Sequence, residues 1–145
     1  MKTKINFSHT FVDTEVNYKG INLDMNGYER VWANSSAVGQ VIRQTIKQLF
    51  GEKVQLKSDY NSVNVWFPTP VSDERFENIS TFIEFMFRNG RFDGMTDMYE
   101  YNPTGGLRVD YNGTEIKFAT NYIFFHNNPK WGTKAYQEWK VNNEN

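Results

Sequence analysis

The chain predicts an α+β fold, a single domain over residues 1–145. In it a mainly antiparallel sheet of about five to seven hairpin-connected strands carries two main helices, at about 36–50 and 72–88, and a short C-terminal helix. Three observations carry the prediction. Apolar residues alternate with polar ones along several short runs, two longer stretches place them at i, i+3, i+4 spacing, and an Asn112-Gly113 pair sits between two alternating runs. A chain of 145 residues can bury about two thirds of the surface its unfolded form exposes, enough for a core without disulfides, and it holds no cysteine to make them.

Taken in order, Ile5, Phe7, His9 and Phe11 alternate with Lys4, Asn6, Ser8 and Thr10, the period of a half-buried strand. Val16 and Tyr18, then Lys19-Gly20, then Ile21 and Leu23 read as a hairpin or as a strand with a bulge. Met25-Asn26-Gly27 supplies a turn, and Val31-Trp32 leads to Asn34-Ser35-Ser36, whose side-chain oxygens can accept the unpaired amides of a starting helix.

Val38, Val41, Ile42, Thr45, Ile46, Leu49 and Phe50 form the buried stripe of that first helix, and Gly51 is placed to end it. Its other face, Gln40, Arg43, Gln44, Lys47 and Gln48, is polar and mildly basic, and is expected to be solvated unless it meets phosphate or an acidic surface. Val54 and Leu56, a turn at Asp59 to Ser62, then Val63, Val65 and Phe67 make a second hairpin, ending where Pro68 and Pro70 withdraw ladder donors.

Pro70 and Ser72-Asp73-Glu74 open the second helix. Phe76, Ile79, Phe82, Ile83 and Met86 are its core stripe, and Phe85 and Phe87 widen the apolar arc beyond what one sheet covers. The helix is therefore buried on nearly all sides or presents an exposed patch for a partner. Asn89-Gly90 stops it, and Asp93 to Glu100 reads as a polar connection.

Leu107, Val109 and Tyr111 then run into Asn112-Gly113, with Ile116, Phe118 and Thr120 returning. The two-residue loop sets Val109 opposite Ile116 and Leu107 opposite Phe118, and places Arg108 diagonal to Glu115. Tyr122 to Phe125 read as a continuing stretch buried on both faces or lying at an interface. Thr133 can cap a final helix containing Tyr136 and Trp139.

Composition narrows the function. The chain holds two histidines and no cysteine, while 17 % of its residues are aromatic. Catalytic triads need a base, and only His9 and His126 supply imidazole; His9 falls on the apolar face of a strand, and His126 ends a strand beside Asn127-Asn128. No His-x-x-x-His or similar ligand pair exists, and Asp93, Asp97 and Glu100 lack the spacing of a calcium loop, so no metal or other cofactor is expected. Gly105-Gly106 is not followed by the Lys and Ser/Thr of a phosphate loop.

The net charge of -1 gives no long-range pull toward nucleic acid or an anionic membrane. No apolar run approaches the roughly 20 residues of a bilayer span and no secretory leader is read, so a cytoplasmic setting is expected, which for a phage product is the host cytoplasm.

Four tryptophans with many Tyr and Phe suit protein recognition, because rigid rings give large contact area for little lost freedom. The expected function is a small non-enzymatic protein-binding module. Its candidate contacts are Trp66, Phe85, Phe87, Trp131, Tyr136 and Trp139, and its partner is another protein, with self-association as a further option. The seventeen asparagines among many Lys, Ile, Phe and Tyr match an AT-rich coding sequence. They extend the expectation to a phage or mobile-element inhibitor of a host defence protein, in the manner of an anti-CRISPR that occludes a nucleic-acid-processing effector.

Two alternatives stand beside it. Lys130, Trp131, Lys134 and Lys140 interleave cations and rings with Tyr136 and Trp139 as single-strand nucleic-acid binders do. A cleft around His126, Asp93 and Asp97 would instead serve a small enzyme or ligand-binding protein.

Overall fold

The computed structural model describes residues 2–24, 30–88, 90–93, 98–101 and 106–143. Strands β1 (Lys2–Phe11) and β2 (Thr14–Asp24) pair as an antiparallel hairpin. Their inward residues Ile5, Phe11, Val16, Tyr18, Ile21 and Leu23 are buried, with Phe7 and His9 half-buried among them. β2 is one strand with a bulge: Ile5 faces Ile21 and Phe7 faces Tyr18, so Lys19 and Gly20 together oppose Asn6. Gly20 sits at φ +66°, and its N–H donates to Asn6 Oδ1 at 2.8 Å. The bulge keeps both halves of β2 facing one core, because a one-residue slip would otherwise turn Ile21 and Leu23 to solvent.

Helix α1 (Ser35–Phe50) buries Ala37, Val38, Val41, Ile42, Thr45 and Ile46, and Gly51 ends it in the left-handed conformation, with its N–H donating to the Lys47 carbonyl. At the other end Asn34 makes no side-chain capping bond, and Ser35 Oγ donates instead to the carbonyl of Tyr60. Gly39 lets α1 come close to the next sheet, since a Cβ there would lie 2.9 Å from Ser58 Oγ.

The polar face of α1 departs from the expectation of free solvation. Gln40, Gln44 and Gln48, one turn apart, reach the backbone of β2. Gln40 Oε1 accepts from Asn22 N–H at 3.0 Å. Gln44 exchanges two bonds with Lys19, and Gln48 two with Asn17. Three amides thus act as a pseudo-strand on the edge of β2. Each such bond is worth about 1 kcal/mol net, against about 1.5–3 kcal/mol for each buried aliphatic side chain. Packing therefore holds α1 in place, while the glutamines set its rotation and register.

The remaining strands form small sheets. β4 (Gln55–Ser58) and β5 (Ser62–Trp66) make the expected antiparallel hairpin, and β8 (Leu107–Tyr111) and β9 (Thr114–Phe118) pair with Leu107 opposite Phe118 and Val109 opposite Ile116 as read from the sequence. The diagonal Arg108–Glu115 contact forms at 3.7 Å. Two parallel pairings join these hairpins to distant segments. β3 (Arg30–Trp32) lies along β9, and β10 (Tyr122–His126) lies along β5, giving the orders β3-β9-β8 and β10-β5-β4. Tyr122 to Phe125 thus do not continue the preceding strand; the chain leaves one sheet at Thr120-Asn121 and enters another.

Helix α2 (Asp73–Phe87) is capped by Ser72, whose side chain accepts from the Arg75 N–H, and buries Ile79, Ile83 and Phe87. Phe87 is wholly interior, which corrects its assignment to a contact surface: it continues the Ile79–Ile83 stripe by one further turn, and Phe85, two residues earlier, falls on the opposite side with 77 % of its surface exposed. The segment read as a polar connection holds a short antiparallel hairpin, β6 (Gly90–Asp93) with β7 (Met98–Tyr101). Asp97 lies outside the described residues. Helix α3 (Lys134–Asn143) closes the fold, with Thr133 Oγ1 accepting from Tyr136 N–H at 3.2 Å as expected of its cap.

Most phenylalanines serve the core. Phe7 stacks on Tyr18 and Phe118, Phe82 meets Phe11 and Phe50 edge-on, and Phe76 meets Phe67 and Phe125 in the same way. The elements assemble as a small α+β domain of mostly antiparallel sheets. Among the described residues, no helix is long and apolar enough to cross a membrane.

Candidate functional site

The β10-β5-β4 sheet has one apolar face and one mixed face. Val63 and Val65 of β5 and Ile123 of β10 point inward and are buried. The period of two then turns Ser62, Asn64 and Trp66 outward on β5, and Tyr122, Phe124 and His126 outward on β10. The parallel register sets Tyr122 beside Ser62, Phe124 beside Asn64 and His126 beside Trp66; on the far side Asn64 faces Lys57 and Trp66 faces Gln55.

The outer face is organised by its rings. Tyr122 and Phe124 lie nearly parallel, 7° apart with centroids at 6.3 Å, and expose 40 % and 48 % of their surface. Trp66 and His126 stack at 5.0 Å and 17°. Nε2 of His126 lies 3.1 Å from Asn64 Oδ1, within hydrogen-bond reach of the neutral ring. Burial of the ring pushes its pKa below the ordinary histidine value and favours this neutral form. Lys130 places Nζ 5.7 Å from the centre of the Trp66 ring, while its backbone N–H donates to Gln55 Oε1 at 3.1 Å. Tyr60, almost fully exposed, stands in the turn before β5, where the Asn61 carbonyl accepts from Tyr122 N–H at 3.2 Å.

A second set of contacts fixes this face. The Asn127 side chain accepts from Val71 N–H at 2.9 Å and donates to the Val71 carbonyl at 2.7 Å, and Phe67 N–H donates to the His126 carbonyl. These bonds clamp the segment after β10 to the segment after β5. The rings are therefore held on paired strands, with no long loop carrying them.

Of the residues singled out from sequence, Trp66, His126 and Lys130 meet here. Trp131 is 75 % exposed in the turn after Lys130, and Tyr136 and Trp139 pair on α3 with centroids 5.7 Å apart and both half-buried. Lys134 and Lys140 are exposed on the same helix. Phe85 stands on α2, and Phe87 is in the core. Among the described residues, the side-chain partners of the His126 ring are Asn64 and Trp66, and no carboxylate is in contact with it. His9 meets Phe11 edge-on at 4.6 Å, and burial lowers its pKa as well. Asp93 lies in β6, outside the contacts described for His126. Among the described residues, no group of three or more histidine or acidic side chains is placed to hold a metal ion.

From sequence, Tyr122 and Phe124 belong only to a Tyr122 to Phe125 stretch read as buried on both faces or lying at an interface, and Asn64 was not singled out. Alternation of Tyr122 and Phe124 against Ile123 and Phe125 is visible there, but four consecutive apolar residues mask which pair faces out until the neighbouring strand is known.

A smaller ring-and-cation site lies on the β3-β9-β8 sheet, where Lys117 Nζ sits 4.4 Å from the centre of the half-exposed Trp32 ring. Comparison with protein-family models, with curated proteins and with solved structures finds no match to this chain, so its functional reading rests on this geometry.

Proposed function

We propose that this protein is a non-enzymatic binding module that docks onto another protein through the outer face of the β10-β5-β4 sheet. The observation that carries the reading is the pair of parallel, half-exposed rings of Tyr122 and Phe124, set beside the stacked Trp66–His126 pair on a paired sheet. Rings fixed in this way lose little freedom on contact, and a central aromatic cluster with a polar rim is the arrangement that dominates protein interfaces. Asn64, Gln55, Lys57 and Lys130 supply the rim.

A photo-crosslinking amino acid in place of Tyr122, with the partner identified by mass spectrometry, tests the reading. A protein adduct that disappears on Phe124→Asp supports it, and crosslinking only to nucleic acid, or adducts indifferent to Phe124→Asp, overturns it. The narrower form, a phage or mobile-element inhibitor of a host defence effector, is supported by the AT-rich character of the composition. It predicts a shared gel-filtration peak with such an effector and loss of the effector's activity.

The cation–π contact of Lys130 with Trp66 favours a second reading, single-stranded nucleic acid stacked on the same rings. Replacing Lys130, Lys134 and Lys140 together then flattens the salt dependence of oligonucleotide binding, and an unchanged slope excludes it.

A further inference from the structure

A cleft of about 760 Å³ lies between α1, β2 and the segment that joins α1 to β4. It is lined by Asn17, Lys19, Arg43, Gln44, Lys47, Gln48, Lys53 and Val54. Four of the eight side chains are cationic and none is acidic, in a protein whose net charge is -1. The cations come from three separate pieces of chain: Lys19 from the bulge of β2, Arg43 and Lys47 from successive turns of α1, and Lys53 from the connection. All four are exposed, and none forms an ion pair among the described residues. The nearest acid in sequence, Glu52, is held at 2.8 Å by Arg75, which also donates to the Phe50 carbonyl.

The amides of the cleft add to its preference for anions. Gln44 Oε1 accepts from Lys19 N–H and Gln48 Oε1 from Asn17 N–H, while each Nε2 donates one hydrogen to the carbonyl of the same residue. The backbone partners fix which end of each amide is oxygen, since an N–H requires the acceptor and a carbonyl the donor. Each oxygen is thus turned to the strand, and each nitrogen keeps a second N–H. The bulge at Lys19-Gly20 and the glutamine column together hold this donor set in place.

We infer that this cleft binds a compact anion carrying several phosphate groups. Its volume lies within the range of small-ligand sites. Its cations ring one concavity, where a groove for a nucleic-acid strand would carry them in a line along the surface. The low net charge leaves little field to draw a long polyanion, so attraction is local to the cleft.

Titration calorimetry with sodium tripolyphosphate on the full chain tests the assignment. Saturable binding is expected, weakened about tenfold by Arg43→Gln and about a hundredfold by Arg43→Gln with Lys47→Gln. Arg108→Gln, on the separate β3-β9-β8 sheet, leaves it unchanged. The paired variant Lys19→Gln with Lys53→Gln repeats the test without altering α1, and thermal melts check that each variant is folded. Absence of binding overturns the proposal, as does binding indifferent to both paired variants. Tighter binding of a short single-stranded oligonucleotide than of tripolyphosphate overturns the compact-ligand assignment, and equal binding of an acidic peptide of matched charge overturns the phosphate assignment.

Discussion

Gln44 meets Lys19 at both ends of its amide: Oε1 accepts the Lys19 N–H and Nε2 donates to the Lys19 carbonyl, each at 2.9 Å. A side chain here takes the place of a neighbouring strand. Gln48 repeats the exchange with Asn17 at 2.9 and 2.7 Å.

Gln44→Ala with Gln48→Ala is therefore expected to cost about 2–4 kcal/mol, at about 0.5–1 kcal/mol for each of four solvent-accessible bonds. It also uncovers the edge of β2, and such edges pair with other chains. Urea unfolding measures the first effect, and the concentration dependence of light scattering measures the second. A stability loss without any new association would show that the edge is guarded by something other than these amides.

Tyr18 is buried beneath the same helix, with its hydroxyl 2.7 Å from Thr45 Oγ1; that oxygen's own hydrogen goes to the Val41 carbonyl, so Tyr18 is the donor. Burial pushes its pKa up to about 12. A pKa raised in the folded state gives stability that is complete below pH 10, the unfolded value, and is lost as pH rises toward 12. Wild type should lose on the order of 2 kcal/mol more than Tyr18→Phe between pH 9.5 and 12. Parallel alkaline slopes for the two proteins would contradict this.

Val12 forms the β1–β2 turn with Asp13 and stands fully exposed at φ 59°. A β-branched residue pays for the left-handed conformation in steric strain, and no packing at this position compensates it. Val12→Gly should raise stability by about 0.5–1 kcal/mol, because relief of strain outweighs the greater freedom of glycine in the unfolded chain. Thermal unfolding reads the shift directly, and a fall in Tm would show that the turn is not strained.

Acid should weaken the Trp66–His126 stack. Burial lowers the His126 pKa, so the unfolded chain takes up its proton first, and stability is full above pH 6.5 and declines as pH falls through the folded value. His9 shares the direction and the cause. Between pH 7 and pH 5, His126→Phe should lose less stability than wild type, and His9→Phe with His126→Phe less still. Equal losses in all three would leave the acid response to carboxylates alone.

Much of the local structure was legible before folding. The Asn112-Gly113 hairpin and its pairings, the stripe of α1 and its end at Gly51, and the Ser72 and Thr133 caps all follow from contacts between residues close in sequence, while at Lys19-Gly20 the choice between a hairpin and a bulge was settled only by pairing with β1. The candidate site was legible only in part. Trp66, His126 and Lys130 were marked by residue type, but Tyr122 and Phe124 became surface residues only when β10 paired in parallel with β5, about sixty positions away.

By itself, then, the sequence determined the α+β class, most element boundaries and the inventory of side chains, because propensity, capping and turn chemistry act over a few residues. Tertiary structure alone decided which phenylalanines went inside, Phe87 and not Phe85, and that β3 and β10 joined hairpins they do not neighbour in the chain. It also turned the glutamines of α1 into partners for β2 while its cations ringed a cleft. Those outcomes depend on the distance between segments in space, which periodicity within one segment does not encode.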